Sequence, residues 1–122
     1  MKAPSIEFGT LRVDLARSFA SRLVGLLGRR GLAPDRALLL APCNNVHTFF
    51  MRFAIDVVFL DRDGVVLAVV PHLAPWRLAA ARRAYACLEL AAGSAGQHGL
   101  APGRRIAQFA AAHLGRPENG HA

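Results

Sequence analysis

The stretch PCNNVHTFFMRFAIDVVFLD, residues 42–61, gathers Cys43, His47, Thr48, Met51, Arg52 and Asp56 into an otherwise apolar run. Three chemistries could use these residue types. Cys43 as thiolate, His47 as base and Asp56 as the group orienting His47 would make a nucleophilic triad. Cys43, His47 and Met51 recur every fourth residue and are soft or borderline metal ligands. Arg52 offers a planar fork for an anion, and His47 a further donor near neutral pH.

Backbone geometry weighs these readings. On a helix, residues four apart share a face. On a strand they lie roughly 13 Å apart, too far to share one ion unless Asn44-Asn45 folds the chain back. The β-branched and aromatic run VHTFFM favours a strand, so neither a metal site nor a cofactor is expected. For the triad, no glycine-rich elbow or helix N-terminus precedes Cys43 to depress its pKa. A tight turn at Asn44-Asn45 would also aim His47 away from Cys43. A Cys/His-dependent hydrolase using Cys43, His47 and Asp56 is therefore the alternative. The leading expectation is a binding or accessory module whose polar recess, lined by His47, Thr48, Arg52, Asp56 and Arg22, takes an anionic or hydrogen-bonding ligand. The blander reading is a structural or protein-interaction domain in which Arg52 and Asp56 form an ion pair. Trp76-Arg77, following Pro75, reads as an exposed anchor for a partner or as a lid. Glu89, mid-strand among apolar neighbours, reads as a solvated outward residue or an arginine's partner.

The elements that must position these residues follow from periodicity. SIEFGTLRVDLA alternates Ile6, Phe8, then Leu11, Val13, Leu15 around Gly9-Thr10, a strand pair or a bulged strand. In RSFASRLVGLLGRRG, Phe19, Leu23, Leu26 and Leu27 fall on one face of an amphipathic helix capped by Ser18 and stopped near Gly28. ALLLAP is a strand buried on both faces. IDVVFLDRDGVVLAVVP is a hairpin with Gly64 at the position needing positive φ. YACLEL reads as a strand, AAGSAGQHGLAPG as a connection with room for one short helix, and RRIAQF as a last strand or fraying end. The expected architecture is mainly β (α+β): a compact β-barrel or β-sandwich of six to seven short strands with one amphipathic helix near the N-terminus. Residues 1–106 form the single domain and 107–122 a flexible C-terminal tail.

At 122 residues and 53% hydrophobic against 19% charged, the chain can bury a core without staples. The net charge of +7 is almost all arginine, scattered apart from the doublets 29–30, 82–83 and 104–105. Without an aromatic-interleaved basic motif this argues against nucleic-acid recognition and leaves a small anionic ligand or a protein as partner. The N-terminus shows no signal peptide, and no apolar run approaches the ~18 residues of a membrane span. A cytoplasmic protein with reduced Cys43 and Cys87 is expected.

The order SRLVGLLGR, FFMRFAIDVVFLDRDGVV, CLELAAG and HGLAPG resembles the bacterial and archaeal family known as domain of unknown function 192, over about residues 8–106. Arg22, Gly25 and Leu26 approximate its helix motif. Phe49 to Arg52 match its strand, Asp56, Val57, Phe59, Asp61 and Gly64 its hairpin, and Leu88, Glu89, Leu90 and Gly93 its late strand. Ala91 replaces the family's proline, Arg104 its acidic residue, and RFA shortens a longer polar insertion. The resemblance implies a compact β-rich fold and no particular reaction.

Overall fold

The computed structural model describes residues 5–16 and 32–114. Within them lie β1 (Ser5–Phe8), β2 (Leu11–Ala16), β3 (Arg36–Leu40), β4 (Asn45–His47), β5 (Ile55–Leu60), β6 (Val66–Leu73), β7 (Leu78–Ala80) and β8 (Ala86–Ala91). Two short helices follow, α1 (Ser94–Gln97) and α2 (Ala111–Leu114), with a 3-10 turn at Ala107–Phe109 between them. The mainly β expectation holds. The barrel does not: six strands form an open sheet in the order β1-β2-β3-β8-β5-β6, and β4 and β7 make a separate two-stranded ribbon. The expected helix over residues 18–28, with Arg22, lies outside the described residues.

Closure would need β1 to pair with β6, and the sheet instead buries both faces. β5 is buried at every residue, and β3 and β8 at all but one each. Such unbroken apolar strands are the mark of a central layer, since a half-solvated strand would alternate. One face carries Leu39, Val58, Leu60, Leu88 and Leu90, packed against Leu100, Ile106 and Phe109 from the C-terminal segment. The other carries Val57, Phe59 and Cys87, packed against Val46 of the ribbon and Met51. Phe109 is fully buried, so the core continues past residue 106 into the segment read as a tail.

Local chemistry sets the connections. The β1–β2 hairpin turns at Gly9-Thr10, pairing Phe8 with Leu11. β2 and β3 pair in parallel, which demands a crossover of a dozen or more residues, and the chain supplies one between Ala16 and Arg36. The β5–β6 hairpin turns at 61–65. There Asp61 Oδ1 accepts from the Asp63 and Val65 amides at 2.8 and 2.9 Å, and Gly64 adopts φ 80° against the Ile106 carbonyl. RRIAQF forms one bridge, Val65 to Arg105, before becoming the 3-10 turn. VHTFFM is a strand only as far as His47.

A bulge in β5–β6 explains Asp56. Ile55 pairs with Leu73 and Val57 with Val70, so Asp56 faces two residues, Pro71 and His72. Pro71 has no amide to offer and sits on an edge strand, where it is tolerated. His72 takes φ 51°, and its amide donates to Asp56 Oδ1 at 2.9 Å. Asp56 Oδ2 accepts from the Ala95 amide, also at 2.9 Å, in the first turn of α1. One buried carboxylate thus satisfies the bulge and caps the helix whose N-terminal Gly93 has no side chain to do so.

Candidate functional site

Thr48 organises the end of the ribbon. Its hydroxyl donates to the Ala74 carbonyl at 2.6 Å and accepts from the Arg77 amide at 2.9 Å. Its own amide donates to the Arg77 carbonyl, and its carbonyl accepts from the Trp76 and Met51 amides. Fully buried, Thr48 clamps the 74–77 loop onto the 48–51 turn. The clamp holds Phe50 at φ 69° and Trp76 at φ 64°, a region that aromatic residues rarely adopt and that costs of order 1–3 kcal/mol each.

Those two residues and Leu78 are the large hydrophobics left exposed among the described residues, at 62%, 54% and 66%. Trp76 stands with its ring centroid 4.6 Å from Phe50 and 5.8 Å from Phe49, and Phe49 stacks on His47 at 4.8 Å. Leu78 pairs opposite His47 in the ribbon. The result is an aromatic platform edged by Leu78; Arg77, whose guanidinium donates to the Trp76 carbonyl, is exposed, as is Arg52, next in sequence to Met51. Replacing Thr48 with valine removes the hydroxyl and strands the Arg77 amide. The expected cost is about 2 kcal/mol of stability, read by thermal unfolding, with lower fluorescence anisotropy at Trp76. An unchanged anisotropy would mean that the clamp does not order the loop.

The residues expected to line one recess do different jobs. Thr48 and Asp56 are buried with their polar atoms engaged by backbone. His47 is half-buried, and its Nδ1 accepts from the Phe49 amide at 3.3 Å. Arg52 is exposed, and Arg22 lies outside the described residues. Asp56 shares a sheet face with Val58 and Leu60, opposite to the face that packs Cys43, so the structure does not bring Cys43, His47 and Asp56 together. No cluster of three metal-ligating side chains occurs among the described residues.

What Cys43 meets instead is Cys87. The Cys43 amide donates to the Tyr85 carbonyl at 2.8 Å, laying residue 43 alongside β8, and the Cys87 thiol donates to the Cys43 carbonyl at 3.3 Å. Cys43 is half-buried and Cys87 buried, both as free thiols. A hydrogen bond from the Cys87 thiol lowers the Cys43 pKa to about 7; burial opposes that shift and the Asn45 backbone assists it. The same bond, burial and the Cys43 charge push Cys87 far up, so Cys43 is the sulfur that ionises. Two residues along β8 on the same face sits Glu89, fully buried with neither carboxylate oxygen bonded. Burial, and then the Cys43 charge, raise its pKa from 4.5 to about 8. The burial of β8 on both faces overrules the outward, solvated position expected for Glu89.

The profile of DUF192, described as "Uncharacterized ACR", matches residues 3–108. The chain belongs to the DUF192 family. Its DUF192 stretch contains both the platform and the thiol pair. A UPF0127 protein of Pyrococcus abyssi is 34% identical in an alignment 79 positions long that covers 60% of this chain and 64% of that relative's length. Two solved structures share the fold. One is a Sinorhizobium meliloti 1021 protein provisionally named a transcription regulator, with TM-score 0.67 and 27% identity over 78% of this chain and 79% of that one. The other is a Novosphingobium aromaticivorans protein of unknown function, with TM-score 0.62 and 22% identity over 81% and 79%. No described helix is long and apolar enough to cross a membrane.

Proposed function

We propose that this DUF192 chain is a binding module whose contact surface is the platform of Phe50, Trp76 and Leu78, and that its partner is an acidic peptide segment carrying an apolar anchor. The observation that supports the reading is the pair of exposed aromatics held at positive φ by a buried threonine. Strain kept at an outward, solvent-facing apolar site is the arrangement expected where geometry serves a contact. Rigid aromatics supply contact area at low entropic cost, and exposed arginines at the rim select acidic partners. The net charge of +7 works in the same direction. Asp61 and Asp63 lie in the turn at the far end of β5, about 20 Å away along the strand. Exposed Leu78 favours a peptide, since an aliphatic side chain gains nothing from stacking on bases. The transcription-regulator name of the Sinorhizobium relative makes nucleic acid the contrasting outcome.

The test is an array of immobilised peptides, each combining Leu or Phe with Asp/Glu or with Lys/Arg, probed with the whole chain beside single-stranded DNA and RNA. Retention on the acidic–apolar peptides, lost in Arg52→Glu with Arg77→Glu, is expected. Retention on nucleic acid alone, or on peptides irrespective of charge, would overturn the reading.

A further inference from the structure

We propose that Cys43 and Cys87 are a reversible dithiol–disulfide pair, with Cys43 as attacking sulfur and Cys87 as resolving sulfur. The site lies on the sheet face opposite Asp56 and is independent of the platform reading. Two observations carry it. The Cys87 thiol donates to the Cys43 carbonyl at 3.3 Å, which sets the two cysteines side by side on adjacent backbones. One thiol is accessible and the other is not, the usual division between an attacking and a resolving cysteine.

The step balances with an external disulfide of the glutathione class as oxidant. The Cys43 thiolate attacks one sulfur of that disulfide, its S–S bond breaks, and the first thiolate leaves to take a proton from water. Cys43 is then held in a mixed disulfide. Cys87 loses its proton to water and attacks the Cys43 sulfur; the bond between the Cys43 sulfur and the external thiol breaks, and the second thiolate leaves, protonated in turn. Two electrons pass from the cysteine pair to the external disulfide, which becomes two thiols. Excess reduced thiol runs the sequence backwards.

The experiment equilibrates the whole reduced chain against mixtures of glutathione and glutathione disulfide, quenches by alkylation under denaturing conditions, and reads intact mass. The wild type is expected to lose two hydrogens and both alkylation sites as the disulfide fraction rises. Cys87→Ser should stop at a single glutathione adduct on residue 43, and Cys43→Ser should stay unmodified. A wild type that keeps two alkylatable thiols in pure glutathione disulfide, or that stops at the adduct as Cys87→Ser does, would overturn the proposal without recourse to any variant.

Discussion

Asp56→Ala is expected to cost about 4 kcal/mol, a large share of the 5–15 kcal/mol that holds a domain of this size together. The carboxylate is 1% exposed and accepts two backbone amides, His72 in the β6 bulge and Ala95 in α1, each at 2.9 Å. Alanine leaves both amides buried with no acceptor, and hydrogen bonds to a charged acceptor contribute roughly 1.5–3 kcal/mol each. Asp56→Asn keeps one acceptor oxygen and turns an NH2 toward the other amide, so about half the loss is expected. Urea denaturation measures the difference, and hydrogen exchange at His72 and Ala95 locates it. A loss below about 1 kcal/mol, or exchange unchanged at both amides, would show that Asp56 does not hold the bulge and helix together. In a triad Asp56 would support activity; here it supports the scaffold between the two sheet faces.

Glu89→Leu is expected to change how stability depends on pH. In the folded chain Glu89 holds its proton up to about pH 8, against 4.5 when solvated. The unfolded state therefore binds fewer protons across that interval, and stability falls as pH rises, by about 1.4 kcal/mol per unit. Cys43 works oppositely, because its pKa is lowered to about 7 from 9 and ionisation favours the folded state above that value. Between about pH 4.5 and 7 the glutamate acts alone of the two. Across it the wild type should lose roughly 3 kcal/mol more than Glu89→Leu, which has no proton to bind there and fills a buried position with apolar atoms. Paired urea titrations at the two ends of the interval give the comparison. Parallel pH profiles for the two proteins would show that Glu89 titrates normally and is solvated.

Much of this scaffold is visible in the residues. DRDG between two apolar runs places the β5–β6 turn, with Gly64 where only glycine fits, and ALLLAP announces a strand buried on both sides. Those same runs also argue against a barrel, because small closed barrels alternate inward and outward residues while β3, β5 and β8 do not. Whether the edge strands β1 and β6 meet is decided by how residues far apart pack, and no local pattern encodes it. The binding surface shows the same divide. TFF and APW are each legible as aromatic and proline-bounded, but the bonds from Thr48 to Ala74 and Arg77 span 26 and 29 residues. Asp56 looked catalytic because its bulge partner, Pro71-His72, is 15 residues downstream; a proline inside an otherwise regular β6 was the available signal. Cys43 and Cys87 lie 44 apart, and only the register Leu40 to Cys87 brings them together.

The central claim is that the Phe50–Trp76–Leu78 surface binds an acidic, apolar-anchored peptide. Trp76 is the chain's one tryptophan, so its fluorescence reports that surface without labelling. Titrating the whole chain with a peptide of alternating Leu and Glu, at low and high salt, should shift Trp76 emission to the blue with an affinity that weakens as salt rises. Phe50→Ala should weaken it roughly tenfold or more. Emission that stays unmoved by the acidic peptide but shifts with its Lys counterpart, or binding that survives Phe50→Ala and Leu78→Ser unchanged, would contradict the claim.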